Sequence, residues 1–526
     1  MTNAQKLSQV VDPTGASYVG FTQVGTSAVS RSVSAKLGDV ISVKDFGAVG
    51  DGAHAILDTA AVAAAVAYLQ TNGYGGILYF PPGIYNLTNT ITLAAAYSPI
   101  GTTGGAANVI ILGAGQGATQ LNFSGCSASY GGIWLQADHN MAVRDLSIVN
   151  SQGYGIQIGS AGGTDSFTID MENVFIANSA YDGLVSLGSY GVSLKRVTSQ
   201  GNGYNGFSFR EYSTSNSVDN CQSSSNGMAG YLIQNMVYST FTACGSDANA
   251  LSGYDIRNCQ SLTFIGCGTE KNLHDGWLLS TSNAYPVSGW VQDVHGITFI
   301  ECVGYENGYT TPGTFAMFIH AVTQDSRPIS FTVKGGGALQ TNVADSAFLM
   351  QAYSGGISYT YENFNYNTIV AADVITSGVY KTNLSLVGKS TLASFNTLTT
   401  QSIPDITDTL VAYAITSNTP NWLGATLSAG HIIIPVGVSR VKVFAGVGWE
   451  TPGTTGSTLL YISKNNAKFP GGATQQAWSS IWNTCTSAIV DVVAGDTIEA
   501  YVWHSNGAAL NAKSSPSTFL SVEVTG

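Results

Sequence analysis

Charge is scarce in this 526-residue chain. Asp, Glu, Lys and Arg make up 10% of it, where ~25% is usual. The basic share is smaller still, with 19 Lys and Arg against 31 Asp and Glu, for a formal net charge of −12. A chain so poor in cations has little to offer phosphate backbones, which excludes nucleic acid and anionic membrane surfaces as partners. Cysteine is also sparse at seven, and no Cys/His spacing of a zinc site occurs. No run reaches the ~18 apolar residues of a membrane span. The opening Met1-Thr2-Asn3-Ala4-Gln5-Lys6 lacks an apolar signal core. The expectation is a protein made soluble, with no membrane insertion. Nucleotide loops and nucleophile elbows are missing too, so no cofactor and no metal is expected.

What the chain has is glycine, 62 residues of it, and a repeat. From about Asn150 to Tyr309 an Asn, a short turn and a Gly introduce an alternating apolar stretch. The turn Asn residues are Asn150, Asn178, Asn202, Asn226, Asn249 and Asn272, with steps of 28, 24, 24, 23 and 23 read from the numbering. A near-fixed period of this size marks a solenoid, in which each repeat covers its neighbour's apolar face. The filling is patterned with period two, so each repeat is one coil of a parallel β-helix.

The period turns sequence offsets into vertical columns, with coils about 4.8 Å apart. Ile156, Leu184, Phe207, Tyr231, Tyr254 and Trp277 form one inward column. Leu194, Val218, Phe241, Phe264 and Phe299 form a second, and Cys221, Cys244, Cys267 and Cys302 a third. The offset of three between the last two columns predicts a bend. The cysteines read as small buried thiols, since parallel Cβ vectors suit neither a disulfide nor a converging metal site. Reduced thiols fit assembly in a reducing cytoplasm. The Asn residues suit turns that need a left-handed backbone.

Ahead of the repeats stand Asp45-Phe46-Gly47-Ala48, Gly50-Asp51-Gly52, an Ala-rich segment from Asp58 and Gly75-Gly76. Tyr79-Phe80-Pro81-Pro82-Gly83-Ile84-Tyr85 follows. Asp58 predicts the N-cap of a helix running to about Gln70, with Gly73 ending it. Such a helix can shield the open edge of the first coil. In order and spacing these pieces resemble the opening of the pectate-lyase-like superfamily, particularly bacteriophage tailspike proteins. Residues 15–93 carry the close likeness, and the leader around Val19-Gly20-Phe21 and Arg31 resembles the segment joining tail fibres to the particle. The fold class is therefore all-β: a right-handed parallel β-helix with a short N-terminal anchor and a C-terminal antiparallel β-sandwich. The expected domains are an anchor over 1–44, the helix over 45–390, a polar linker over 391–403 and the sandwich over 404–526. The last resembles jelly-roll domains of the complement and tumour-necrosis-factor type, through Val493-Ala494-Gly495-Asp496 and the closing Phe519–Val524 strand.

Two groups of residues could carry chemistry. Asp247 and Glu270 lie at one offset on neighbouring coils, followed by Tyr305, with Lys271, His274 and Asp275 close in sequence. Two carboxylates roughly 5–8 Å apart suit glycoside hydrolysis by either stereochemical route, one as acid and one as base or nucleophile. The catalytic candidates are Asp247, Glu270 and Asp275. The second group comprises Arg210 and Arg257 in one column, Glu211 beside Arg210, and Asp255 beside Arg257. The loop before Val294 adds Trp290 and Asp293. With Lys271 and Tyr305 these are the substrate-binding candidates, and they suit an anionic or N-acetylated polysaccharide. Asp182, Asp219 with Lys195, and Glu172 with Arg196 read as surface pairs of little energetic weight.

The resemblance implies a virion protein of a phage tail, a homotrimer assembled in the host cytoplasm. It would bind a tail or baseplate protein through its N-terminus and a bacterial cell-surface polysaccharide, capsule or O-antigen, along its shaft. Endo-hydrolysis of that polysaccharide is the leading expectation. The alternatives are β-elimination on a uronate, with Lys271, His274 or Tyr305 as base and Arg257 neutralising the acid, and a fibre that binds without cutting.

Overall fold

A computed structural model describes residues 3–524, apart from 73–74, 95–107, 128–130, 137–138, 161–165, 282–292, 309–314, 325–326, 340–345, 353–356, 363, 367–373, 376–378, 381–391, 397–398, 414–425, 429, 435–437, 451–455, 478–481, 487–488 and 515–517. Two compact units emerge, Met1–Ile357 with Phe364–Val379, and Ser358–Asn363 with Tyr380–Gly526.

The first unit is a parallel β-helix, and one coil shows how it is built. Tyr254–Arg257 forms the first face. A left-handed Asn258 turns the chain into Gln260–Ile265 on the second face. Gly266, also left-handed, bends it into Gly268–Glu270 on the third. Each face stacks in parallel on the coils above and below, and the first face is a continuous eleven-stranded sheet. The bend foreseen between the second and third inward columns sits at one residue per coil: Arg196, Asn220, Ala243, Gly266 and Glu301 all have positive φ.

The inward columns pair as the repeat predicts. Ile156 faces Leu184, Leu184 faces Phe207, Phe207 faces Tyr231, Tyr231 faces Tyr254 and Tyr254 faces Trp277. Their rings stack, Tyr231 on Tyr254 at 4.5 Å and Tyr254 on Trp277 at 5.3 Å. On the second face Phe241, Phe264 and Phe299 stack at 4.9 and 5.2 Å. Each such fully buried aromatic contributes roughly 1.5–3 kcal/mol. The cysteine column is buried, and each thiol from Cys244 onward donates to a carbonyl of the coil before it: Cys244 to Val218, Cys267 to Phe241 and Cys302 to Phe264, each at 3.4 Å.

The Asn column differs from its expected role. Asn150 and Asn178 do adopt the left-handed turn. From the next coil on, that position belongs to the preceding residue: Gly201, Ser225, Ala248, Lys271 and Glu306. Asn202, Asn226, Asn249, Asn272 and Asn307 instead point inward and are buried. The side-chain amides of Asn202, Asn226, Asn249 and Asn272 each donate to the next Asn Oδ1 at 2.8 Å, and that same oxygen also accepts a backbone N–H. The ladder satisfies donors and acceptors that the turns would otherwise bury unpaired.

The helix over the first coil runs Ala55–Asn72 and buries Ala61, Val62, Ala65, Val66 and Leu69. Asp58 lies inside it and is not its N-cap. Its buried carboxylate accepts the N–H groups of Val49 and Gly50, at 2.8 and 3.0 Å. It thereby clamps a turn in which Gly50 has φ +68° and a Cβ would meet the Tyr85 ring at 2.8 Å. Gly73 lies outside the described residues.

In the second unit the two larger antiparallel sheets share one core. Arg440–Gly448 and Phe519–Val524 pair in one sheet, Ser457–Lys464 and Thr497–His504 in the other. Val441, Val443, Leu520 and Val522 from the first sheet meet Leu460, Ile462, Ile498 and Val502 from the second. The Thr-rich stretch expected to be a linker is partly strand: Leu392–Asn396 pairs with Phe519–Val524, and Gln401–Ile403 with Leu510–Ala512. Among the described residues no helix is long and apolar enough to cross a membrane.

Candidate functional site

The third face brings Asp247 and Glu270 together. They pair directly on neighbouring strands, and Glu270 pairs in turn with Tyr305. All three side chains are partly buried. Gln222, one coil earlier, donates to Asp247. Burial pushes the Asp247 carboxyl above its usual range; the Gln222 hydrogen bond opposes this, Glu270 adds to it, and Lys271 opposes it. Lys271 forms ion pairs with Glu270 at 2.9 Å and Glu306 at 3.9 Å, and lies 5.8 Å from the Tyr305 ring centre. Two neighbouring carboxylates with different surroundings, one of them pushed up by burial, suit acid catalysis at a glycosidic bond.

Asp275 does not join them. It precedes the first face, buried, and accepts the Ala316 N–H at 2.7 Å while its other oxygen meets His320 Nδ1 at 3.1 Å. Asp182, four coils earlier, accepts the Asn205 N–H in the same way at 2.9 Å. The shared pattern gives Asp275 a structural task, joining its coil to the next. It also corrects the reading of Asp182 as a surface pair: its side chain is 1% exposed and takes Arg210 at 2.7 Å. Glu172 with Arg196, at 2.7 Å, does lie on the surface.

Arg210, Asp255 and Arg257 lie on the outer side of the first face. Gln234 and Arg257 pair across adjacent strands, with Arg210 one coil before Gln234. Arg257 is held fork-on by Asp255, at 2.9 and 2.5 Å. Arg210 is shared between Asp182 and Ser208, each at 2.7 Å. Glu211 occupies the left-handed turn that follows. Asp293 is engaged by Gln260 at 2.6 Å and His295 at 3.0 Å; Trp290 lies outside the described residues. Arg210 and Arg257 thus occupy a different face of the coil from Asp247 and Glu270, while Asp293 bonds residues of the second face.

Sequence reasoning missed His320. Gln351 meets its Nε2 at 3.0 Å, so the ring is held at both nitrogens. Burial disfavours charge on this imidazole, but the hydrogen bond and charge of Asp275, with Gln351, override it and raise its pKa above the usual value. A raised histidine stabilises the fold fully below its unfolded value near 6.5 and loses that contribution as pH climbs through the folded value. The denaturation midpoint of the helix therefore falls as pH rises above about 6.5. Chemical denaturation of His320→Gln, followed across the same range, shows a flatter pH dependence.

Residues 40–294 match the family described as rhamnogalacturonase A/epimerase, pectate lyase-like. No curated protein matches the sequence. Among solved structures, the Azotobacter vinelandii mannuronan C-5 epimerase AlgE6 A-module is similar at 16% identity, over 65% of this chain and 99% of that one, with a TM-score of 0.45. The catalytic domain of a GH87 α-1,3-glucanase in complex with nigerose is similar at 15% identity, over 61% and 66%, with a TM-score of 0.46. The bacteriophage phi29 gene product 12 N-terminal fragment follows at 13% identity, over 65% and 66%, with a TM-score of 0.44.

Proposed function

We propose that this chain, whose residues 40–294 carry a pectate-lyase-like domain, binds a bacterial surface polysaccharide along its β-helix and hydrolyses it internally, as the homotrimeric tailspike of a bacteriophage. The observation that carries the hydrolytic reading is the Asp247–Glu270 pair, on adjacent strands with the Asp247 carboxyl pushed up by burial. Asp247 holds its proton to higher pH and donates it to the leaving oxygen. Glu270, on the strand next to Asp247 and beside Lys271, serves as nucleophile. The family description supports a carbohydrate substrate; the phage assignment rests on the residues 15–93 likeness.

The elimination route is less well supplied. It needs an Arg to neutralise a uronate, and Arg257 already has Asp255 across its fork. New reducing ends without unsaturated sugar products, measured on purified capsule or O-antigen, are the expected result. Unsaturated products would replace hydrolysis by elimination, and no products would leave a fibre that only binds.

The alkaline limb of the rate profile then belongs to Asp247. Gln222→Met removes a hydrogen bond that favours the charged form of Asp247. Its carboxyl should keep the proton longer, so the alkaline limb of kcat moves to higher pH. An unmoved limb would take Asp247 out of the acid role.

A further inference from the structure

The outer side of the first face is bordered by a second, unremarked column in the turn ahead of each strand. Backbone hydrogen bonds stack Gly153, Tyr181, Tyr204, Met228, Leu251 and His274 one above another, at 3.0 to 3.3 Å. The Tyr154, Tyr181 and Tyr204 rings meet edge-on at 5.5 Å intervals. Tyr181 is 38% and Tyr204 46% exposed, large for tyrosines held in a ladder. Farther up, the His274 ring stacks on Phe315 at 4.2 Å. Tyr154 also touches Arg210, which ties this wall to the charged floor beside it.

That floor is charged but balanced. Arg210 is matched by Asp182, and Arg257 by Asp255, with the side chains of both carboxylates buried. An incoming anion would have to displace a desolvated carboxylate from its guanidinium, a poor exchange. Hydroxyl and acetamido groups carry no charge to compete with those carboxylates, and a guanidinium has five N–H donors, more than one carboxylate takes up. Tyrosine rings offer apolar faces and edges to the C–H side of a sugar and a hydroxyl to its rim.

We propose that the groove between the tyrosine wall and the Arg–Asp floor of the first face holds an uncharged, hydroxyl- or N-acetyl-bearing glycan chain lying along the helix axis. This site is separate from the carboxylate pair on the third face. It rests on the reading of the protein as a polysaccharide binder and is independent of whether Asp247 and Glu270 cut. The groove selects the glycan by shape and neutral hydrogen bonding, and distinguishes it from uronate- or phosphate-bearing chains.

The test uses the full chain carrying Asp247→Asn and Glu270→Gln, probed on an array of bacterial capsular and O-antigen polysaccharides sorted by charge. Uncharged glycans should be retained, with little dependence on salt. Adding Tyr181→Ala and Tyr204→Ala should weaken that binding roughly tenfold or more, while Tyr238→Ala, an exposed tyrosine outside the wall, should not. Asp255→Asn, which leaves Arg257 without its buried counter-charge, should add acidic glycans to those bound. Retention of acidic glycans alone by the parent, unchanged affinity in the tyrosine pair, or no binding to any glycan would each overturn the proposal. Cleavage assays on the otherwise native chain report separately on the carboxylate pair, so the two ideas fail independently.

Discussion

Asp247→Asn and Glu270→Gln should each slow glycan cleavage by about 100- to 10,000-fold, the usual range for losing a positioned acid or base. Neither change alters shape or burial much. Asn at 247 can still accept the Gln222 hydrogen bond, and Gln at 270 leaves the strand pairing with Tyr305 intact. The folded state and the affinity for intact polysaccharide should therefore stay near those of the parent, as thermal melting and binding measurements would show. The two carboxylates act on one bond, so their effects should not multiply. The double variant is expected to be about as slow as the worse single one. Full multiplication would point to independent roles, and retained activity in both would remove the pair from the chemistry.

The largest stability loss should come from Asn249→Leu. Asn249 Oδ1 accepts from the Asn226 backbone and side-chain amides, at 3.1 and 2.8 Å. Its own amide donates to Ser246 Oγ and Asn272 Oδ1, at 3.1 and 2.8 Å. Leucine has the same branched outline and is somewhat larger, so no cavity opens, yet buried groups on two coils lose their partners at once. At roughly 1–3 kcal/mol for each unsatisfied group, the total loss is about 3–6 kcal/mol. Because coils hold one another only through nearest neighbours, the damage should split the helix cooperatively near that coil. Cys244→Ala removes only a small buried thiol, whose Sγ makes weak donor contacts at 3.3 and 3.4 Å. Its cost should be clearly smaller, and denaturant melts of the two variants side by side would show the difference.

Much of this was legible because the period hardly varies. With steps of 23 and 24 between coils, Tyr231, Tyr254 and Trp277 align without knowledge of a single angle, and so do Asp247 and Glu270. Reading failed where side-chain direction decided the outcome. Asn tolerates a left-handed backbone, so an Asn in each turn pointed to the wrong residue: Ser225, Ala248 and Lys271 take that conformation while the Asn side chains turn inward. Asp58 has the chemistry of a cap, but the helix begins at Ala55 and its carboxylate serves the Gly50 turn instead. His320 was hidden by an insertion. Leu278 pairs with it across 42 residues of sequence, far from the regular step, so no column pointed there. The Thr-rich stretch at 391–401 looked like a linker because its polarity carries no period, although Leu392–Asn396 pairs as a strand with Phe519–Val524.

The central claim is that Asp247 and Glu270, on strands about 4.8 Å apart, work as one catalytic pair. The stereochemistry of the first product tests it most directly. Carboxyl groups about 5–5.5 Å apart belong to a retaining mechanism, whereas inversion needs about 6.5–9.5 Å to admit a water. Proton NMR of the reducing end released in the first turnovers should show the anomeric configuration of the parent glycan retained. An inverted anomer, or an unsaturated end in its place, would contradict the account.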